Sequence, residues 1–407
     1  MSRKWVEKEG LGWVEKNIIS REQYDQIVQL YAEQKHAIGM LPLLGSVLLG
    51  LGILSFIAAN WQEIPQLLRL LMIVVVMVGF YAGGEQFLRK GHGKLGIALT
   101  ALGLVSFGAG IILVGQMFHL VAYDLTSFTV WGLAGIVLTY MYRSRFLYLI
   151  SLLIFTGAQW YSTLELHQFS YAALVIMAVG LGYFTWQRQS TLLTWCYSLS
   201  FVLQCLMLVF VKDWPLLWLF IPVMALYAAG DWIRDRSSGY AVQTVPLIAA
   251  YVFAVSMVLL WDIRSSSDLD EILAQPAYYL IALVVLFAIS VLGKLRQARG
   301  SSAFEWILLA PFVYLPGGIE VLYLLALFFF SFYVLWRGYM EQWRFKINFG
   351  TVLFLCSTMV AYGKLTWDFM DKSLFFIIGG LLLLALSWVL NRRKKQVLED
   401  TKGGKTS

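Results

Sequence analysis

Long apolar runs separated by short polar segments repeat along the chain from residue 39 almost to its C-terminal end. Crossing the hydrocarbon core of a bilayer, roughly 30 Å thick, takes about 20 helical residues, and most of these runs approach that length. Fourteen runs can be distinguished, with the approximate limits 39–60, 67–83, 95–118, 128–142, 145–164, 170–186, 191–211, 214–230, 241–261, 277–293, 304–316, 319–336, 346–363 and 374–390. The pattern predicts an all-α, polytopic membrane protein with about 14 transmembrane helices. For the shortest run, 304–316, a re-entrant segment is the alternative to a crossing.

The polar segment before the first run has a different pattern. Ser20 and Gln23 have the spacing of a capping box, and apolar residues follow them at helical intervals. Two glycines interrupt a weaker helical pattern upstream, so the turn of a helical hairpin is expected between Gly10 and Asn17. This hairpin is either a docking or regulatory module that binds a protein partner, or a small cap that packs against the membrane domain.

The distribution of Lys and Arg predicts the orientation of the chain. With the N-terminus inside, 26 of the 31 Lys and Arg residues fall in inner segments and 5 in outer ones. Cytoplasmic loops carry such an excess, so an even number of spans with both termini cytoplasmic is predicted. The predicted domains are a cytoplasmic helical hairpin (1–37), a transmembrane helical bundle (38–391) and a basic, disordered cytoplasmic tail (392–407).

Composition supports the membrane assignment and excludes other classes. Hydrophobic residues make up 59% of the chain and charged residues 14%, with a mean hydropathy of +0.71, whereas soluble domains carry about 25% charged residues. The formal net charge of +7 comes from charges dispersed between apolar runs, which does not form the basic patch of a nucleic-acid-binding domain. The bilayer is therefore the expected partner, and nucleic acid is not.

Three stretches of the first 150 residues occur in an order typical of a known family. They are WVEKNIISREQYDQIVQLY, LLGSVLLGLGILSFIAANWQEIP and GQMFHLVAYDLTSFTVWGLAGIVLTYMYRS. Together they resemble the bacterial "domain of unknown function 2157" (DUF2157) family of predicted membrane proteins. The most specific pieces are Asn60-Trp61 with Ile64-Pro65, and Gly115-Gln116 with Asp124 and Trp131 downstream. The resemblance implies a bacterial cytoplasmic membrane and no established activity, and it supplies no catalytic residues.

Motifs for catalysis or cofactor binding are missing from the sequence. It contains no HExxH, GxSxG or phosphate-loop spacing, and its three cysteines lack metal-ligand spacing. No enzymatic activity, cofactor or metal is therefore expected. Charged residues are also missing from the centres of the runs, which gives little support to a proton-coupled mechanism. Two amides within runs, Gln159 and Gln204, are expected to form hydrogen bonds between helices rather than to contact a substrate.

The first and third runs are rich in glycine and other small residues, which let helix backbones approach closely. Close packing of these two runs would gather polar groups from their outer ends and from the residues nearby. These groups are Asn60, Trp61, Glu63, Arg69, Gln116, His119 and Asp124. They predict an outward-facing vestibule for a lipid headgroup or a polar small molecule. The alternative is a set of ordinary interfacial residues that cap helix ends.

Two functions follow from these patterns. The span count, short loops and glycine-rich runs favour a transporter or flippase-like protein, which requires a polar cavity that reaches the membrane midplane. The scarcity of charge within the runs and the protruding hairpin favour a non-transporting scaffold or regulatory partner, for which a closed and dry bundle is expected.

Overall fold

The computed structural model describes Gly10 and residues 12–14, 18–32, 64–118, 125–233, 236–260, 277–296, 300–310, 312–314, 318–367 and 371–403. Every regular element in these ranges is helical, which confirms the predicted all-α class. By its internal contacts the chain divides into two compact units, Met1–Met72 and Ile73–Ser407. The predicted boundary between residues 37 and 38 lies outside the described ranges, so the division into hairpin, bundle and tail stays a prediction.

Thirteen α-helices lie within the described ranges, together with short 3₁₀ and π segments. The α-helices are α1 (Arg21–Ala32), α2 (Gln66–Arg89), α3 (Gly93–Met117), α4 (Thr126–Tyr142), α5 (Arg145–Tyr161), α6 (Tyr171–Arg188), α7 (Thr191–Val211), α8 (Phe220–Trp232), α9 (Arg236–Leu260), α10 (Ala277–Arg296), α11 (Ile319–Met340), α12 (Arg344–Thr366) and α13 (Lys372–Gly403). The 3₁₀ helices are Leu216–Leu219, Gly300–Leu308 and Phe312–Tyr314, and the π segment is Ser162–Leu166.

The predicted capping box begins α1 in the first unit. The backbone N–H of Ser20 donates to Oε1 of Gln23 at 2.9 Å, and the N–H of Gln23 donates to Oγ of Ser20 at 3.2 Å. Upstream, Gly10 is helical, and a Cβ added to it would lie 2.7 Å from the ring of Tyr24. Here the missing side chain permits close packing between the two arms of the hairpin.

Removing the capping hydroxyl with Ser20→Ala is expected to destabilise α1 by about 1 kcal/mol, because a backbone N–H of the first turn loses its acceptor. Backbone amides of Arg21–Ala32 should then exchange hydrogen roughly fivefold faster. Gln26→Ala is the matched control, since Gln26 is exposed on the same helix. Equal exchange rates in the two variants would contradict the capping role.

Eight of the described helices are long and apolar enough to cross a membrane, and two shorter apolar helices accompany them. Each predicted run has a matching α-helix except 39–60, which lies outside the described ranges, and 304–316. The structure therefore confirms a multi-helix membrane architecture. The count of 14 spans and the cytoplasmic position of both termini stay predictions.

The described residues of the run 304–316, which are 304–310 and 312–314, contain 3₁₀ helices and no α-helix. Whether the run crosses the membrane or is re-entrant stays a prediction. It forms 3₁₀ turns in which Phe304 contacts the ring of Tyr333, while Phe312 contacts the ring of Tyr323. The segment thus follows α11 for ten residues, or roughly 15 Å at the α-helical rise. The run also contains two prolines, at positions 311 and 316, and a proline lacks the N–H that the interior of an α-helix requires, which disfavours one α-helix through the whole run.

The C-terminal segment also differs from its prediction. α13 continues to Gly403, so the backbone of residues 392–403 is helical and not disordered as predicted. The apolar part of α13 supplies a helical turn on which the rest can propagate, and Arg, Lys, Gln and Leu are good helix formers.

Two clusters of buried side chains form the core of the second unit. One gathers residues of α4 to α7, including Tyr148, Phe155 and Met177. The other gathers residues of α7 to α12 and of the 3₁₀ segments, including Tyr279 and Tyr323. The second cluster is the setting of the site described below.

Glycines of the third predicted run are used for packing. A Cβ added to Gly103 would lie 2.9 Å from the ring of Tyr81 in α2, and one added to Gly108 would lie 2.2 Å from the ring of Trp131 in α4. The Trp131 indole also donates a hydrogen bond to the carbonyl of Leu104 at 2.8 Å. α3 is thereby fixed between its two neighbours in sequence.

Candidate functional site: a buried network of charged side chains

Most residues of the predicted outer vestibule lie outside the described part of the chain, namely Asn60, Trp61, Glu63, His119 and Asp124. Of the other two, Arg69 donates from Nε to the carbonyl of Ile64 at 2.7 Å, and Gln116 is exposed in the last turn of α3. The vestibule therefore stays a prediction.

The two amides predicted to link helices are both fully buried. Gln159 in α5 bonds the backbone of Ser170, donating to its carbonyl at 2.7 Å and accepting from its N–H at 3.2 Å. This bond fixes the start of α6 and confirms the interhelical role. Gln204 instead donates within its own helix to Ser200 at 3.2 Å, and Ser200 in turn lies 2.7 Å from the hydroxyl of Thr156 in α5.

A charged pair that sequence reasoning missed lies inside the second core cluster. Asp231, in the last turn of α8, is 0% exposed, and Lys294, in the last turn of α10, is 2% exposed. Nζ of Lys294 donates to Oδ1 of Asp231 at 2.9 Å. The carboxylate also accepts from Nε2 of Gln243 at 2.6 Å and from Oγ of Ser290 at 2.5 Å. Two helices, α9 and α10, thus supply three donors to one buried anion of α8.

Lys294 connects this pair to a second carboxylate. Its ammonium also donates to the hydroxyl of Tyr227 at 2.9 Å, and that hydroxyl donates to Oε2 of Glu305 at 2.9 Å. Glu305 lies in the 3₁₀ segment and is buried. The next residue, Trp306, donates from its indole to Ser290 at 3.1 Å and places its ring 5.5 Å from Nζ of Lys294. The irregular segment is therefore joined to the ion pair at two points.

A further group of charges lies where α11 ends and α12 begins. Glu341 accepts from Nε of Arg337 at 2.7 Å and pairs with Lys346, whose Nζ is 3.6 Å from its carboxylate. Lys346 is buried, and its ammonium lies 5.3 Å from the ring centre of Tyr240 in α9. Arg337 also donates to the hydroxyl of Tyr333 at 3.3 Å, and the ring of Tyr333 contacts Phe304, the residue before Glu305, which links this group to the first.

We call the six charged residues together the ion network: Asp231, Lys294, Glu305, Arg337, Glu341 and Lys346. Three are anions and three are cations, so their formal charges cancel. They come from the C-terminal ends of α8, α10 and α11, from the start of α12 and from the 3₁₀ segment. Cancellation of charge at such close range is what makes burial of this many ions tolerable.

Glycines allow the central pair to form. Gly230 precedes Asp231, and a Cβ added to it would lie 2.6 Å from Cγ of Gln243. Gly293 precedes Lys294, and a Cβ added there would lie 2.9 Å from Cβ of Asp231. In the sequence both charged residues stand at the ends of apolar runs, and Lys294 and Lys346 are among the 26 Lys and Arg residues predicted to lie in inner segments. The Gly-Asp and Gly-Lys pairs at the ends of two apolar helices were the available signal.

No curated protein matches this chain, and no solved structure matches it either. The ion network belongs to a part of the chain that the comparisons leave without a relative. The N-terminal third differs in this respect, because residues 11–148 match the family model described as Predicted membrane protein (DUF2157), as the resemblance of its motifs predicted.

Proposed function

We propose that this protein is a transporter or flippase-like protein of the bacterial cytoplasmic membrane, and that the ion network is its inner gate. The observation that carries the proposal is the Lys294–Asp231 pair, which is buried among apolar helices. Ser290 and Tyr227 link it to side chains of the 3₁₀ segment. The substrate class expected from the sequence is a polar small molecule or a lipid headgroup.

Burying the Lys294–Asp231 pair costs free energy that apolar side chains packed in the same place would not cost. Moving an ion out of water costs several kcal/mol, and apolar side chains of similar volume often stabilise a protein as well as a buried ion pair does. Ionisable residues within membrane helices usually line a path for an ion or a substrate. Retention of Asp231 and Lys294 beside a core of aliphatic and aromatic residues therefore favours a functional role.

The backbone around the network supports the same proposal. Transporters commonly use interrupted helices near their binding sites, because irregular backbone at membrane depth must be enclosed by protein or face a cavity. Here the 3₁₀ segment Gly300–Leu308 carries Glu305, and a 3₁₀ turn, Leu216–Leu219, precedes α8. The i→i+3 hydrogen bonds of such segments have poorer geometry than those of an α-helix, so less free energy opposes their rearrangement when neighbouring helices shift.

The network joins the ends of α8, α10, α11 and α12 to the 3₁₀ segment and is suited to closing one side of the bundle. Under the predicted orientation these ends face the cytoplasm, whereas the predicted vestibule faces outward. Breaking Lys294–Asp231 would release α8 from α10, and breaking Lys346–Glu341 would release the start of α12 from the end of α11. We propose that this rearrangement gives a bound substrate access to the inner side.

The alternative is a non-transporting scaffold or regulatory partner that acts through the N-terminal hairpin. The dense packing of the second core cluster favours it, since Tyr279, Tyr323 and Met257 are almost fully buried there. In a scaffold the ion network would simply fix the relative positions of the helices.

Thiol labelling separates the two functions without a known substrate. Thr244, 1% exposed in α9 and adjacent to Gln243, would be replaced with cysteine after Cys196, Cys205 and Cys356 are changed to alanine. A transporter visits its open state at a population of about 0.1–10%. We therefore expect a membrane-impermeant maleimide to label Thr244→Cys in inverted vesicles and not in right-side-out vesicles.

Ala173→Cys is the control, because Ala173 is equally buried but lies in the first core cluster. It should stay unlabelled over the same period from either side. If Thr244→Cys also stays unlabelled from both sides, the gate does not open, and the scaffold becomes the better explanation.

A further inference from the structure

A cavity of about 560 Å³ lies between the C-terminal ends of α4 and α6, away from the ion network. Its lining residues are Tyr140, Arg143, Tyr183, Phe184, Gln187 and Arg188. The lining therefore holds two guanidinium groups, one amide and two phenols, and it contains no carboxylate. A concave surface with this composition has a clear preference for an anion.

The arginines are held at the cavity by the ends of the two helices. Arg143 ends α4 in the left-handed conformation, with φ of +47°, and its carbonyl accepts a 2.8 Å hydrogen bond from Nη2 of Arg188. Within the described part of the chain, the guanidinium of Arg143 has no ion-pair partner and is exposed. The guanidinium of Arg188 is thus fixed by the backbone of Arg143, and the guanidinium of Arg143 is available to a ligand.

The aromatic wall of the cavity is rigid. The Tyr140 hydroxyl donates to the carbonyl of Gly180 at 2.6 Å, and its ring packs edge-on against Phe184 at 5.4 Å. Phe184 also lies under the guanidinium of Arg188, 5.6 Å from the ring centre. Tyr183 is half exposed at the same end of α6. The cavity therefore combines cations with an apolar, preformed floor.

We propose that this cavity binds the phosphate of an anionic phospholipid headgroup. Arginine forks match phosphate oxygens in geometry and charge, and basic pockets between membrane helices on the cytoplasmic side recognise such headgroups. Arg143 and Arg188 both belong to segments predicted to face the cytoplasm, where headgroups of the inner leaflet lie. A free phosphate anion offers the same oxygens, so the experiment distinguishes the two sources.

This site is independent of the proposed gate. Its residues lie at the C-terminal ends of α4 and α6, whereas the ion network is built on α8, α10, α11, α12 and the 3₁₀ segment. If the cavity does not bind lipid, the proposal of a gate is unaffected. If Thr244→Cys is never labelled, the proposal of a lipid site is unaffected.

The test measures lipid binding to the delipidated protein in detergent by native mass spectrometry. Phosphatidylglycerol is titrated first, and phosphatidylcholine serves as the zwitterionic comparison. The double variant Arg143→Gln/Arg188→Gln is expected to bind phosphatidylglycerol on the order of tenfold more weakly, because it removes two cations from the headgroup site. Gln187→Glu keeps both arginines and the Arg188 hydrogen bond but adds a negative charge, and it should also weaken binding.

Lys90→Gln is the matched control, since it removes an exposed cation from another segment predicted to face the cytoplasm. It should leave phosphatidylglycerol binding unchanged. Competition by inorganic phosphate would show that the cavity recognises the free anion, whereas resistance to it would identify the lipid. Equal binding of phosphatidylglycerol by the wild type, the double variant and Gln187→Glu would overturn the proposal.

Discussion

Asp231→Asn is expected to lower the free energy of unfolding by about 3–5 kcal/mol, because it leaves the buried ammonium of Lys294 without its counter-charge. The amide keeps the shape of the carboxylate, so the loss reports charge and not volume. Unfolding by heat or by SDS in mixed micelles measures the effect. Glu85→Gln is the control: Glu85 forms an exposed pair with Arg89 at 2.9 Å, and loss of such a pair changes stability by about 1 kcal/mol or less.

The double variant Asp231→Asn/Lys294→Met should recover most of the lost stability, since it removes the unpaired charge together with its partner. It also separates a gate from a structural pair. If the pair closes a gate, the recovered protein should still show faster labelling of Thr244→Cys than the wild type. Recovery of stability with unchanged labelling would assign the pair a structural role alone.

Gly350→Val is expected to lower the free energy of unfolding by about 1–3 kcal/mol, the usual effect of overpacking a core. A Cβ at Gly350 in α12 would lie 2.7 Å from the backbone nitrogen of Leu335 in α11. Gly338 in α11 lies equally close to the backbone of α12, since a Cβ added to it would lie 2.8 Å from the backbone nitrogen of Ile347. Because backbone atoms cannot rotate away as side chains do, the two helices would have to separate.

Gly363→Val tests whether the effect comes from this contact. Gly363 lies in the same helix, and nothing would lie within 4 Å of an added Cβ. Both substitutions replace a helical glycine with a β-branched residue, so they share their effect on helix propensity. The difference between the two melting temperatures in detergent measures the packing contribution, and equal temperatures would contradict it.

Local features and the membrane class were predictable from the sequence, and the central site was not. The capping box of Ser20 and Gln23 depends on residues three apart, so its spacing alone identifies it. Apolar runs long enough to span a bilayer are similarly visible without tertiary information. Both predictions rest on the chain's own geometry and need no distant partner.

The ion network depends on partners that are far apart in sequence. A charge next to a loop is usually solvated, so the positions of Lys294 and Lys346 at the ends of apolar runs predict ordinary charges of inner segments. Only the packing of α8 against α10 shows that the end of each apolar helix is covered by the other. The 3₁₀ helices within the run 304–316 were also only partly predictable. The short length of the run indicated an unusual segment, but it did not indicate the position of that segment beside α11.

The separation of the charged partners along the chain has a consequence for synthesis in the cell. Asp231 and Lys294 are 63 residues apart, and Tyr227 and Glu305 are 78 apart. At a translation rate of roughly 5–20 residues per second, Asp231 is made about 3–13 s before the lysine that neutralises it. During that interval α8 carries an unpaired carboxylate, which opposes its release into lipid. The nascent α8 is therefore expected to stay at the insertion machinery or the membrane surface until α10 emerges, and the two helices to enter the bilayer together.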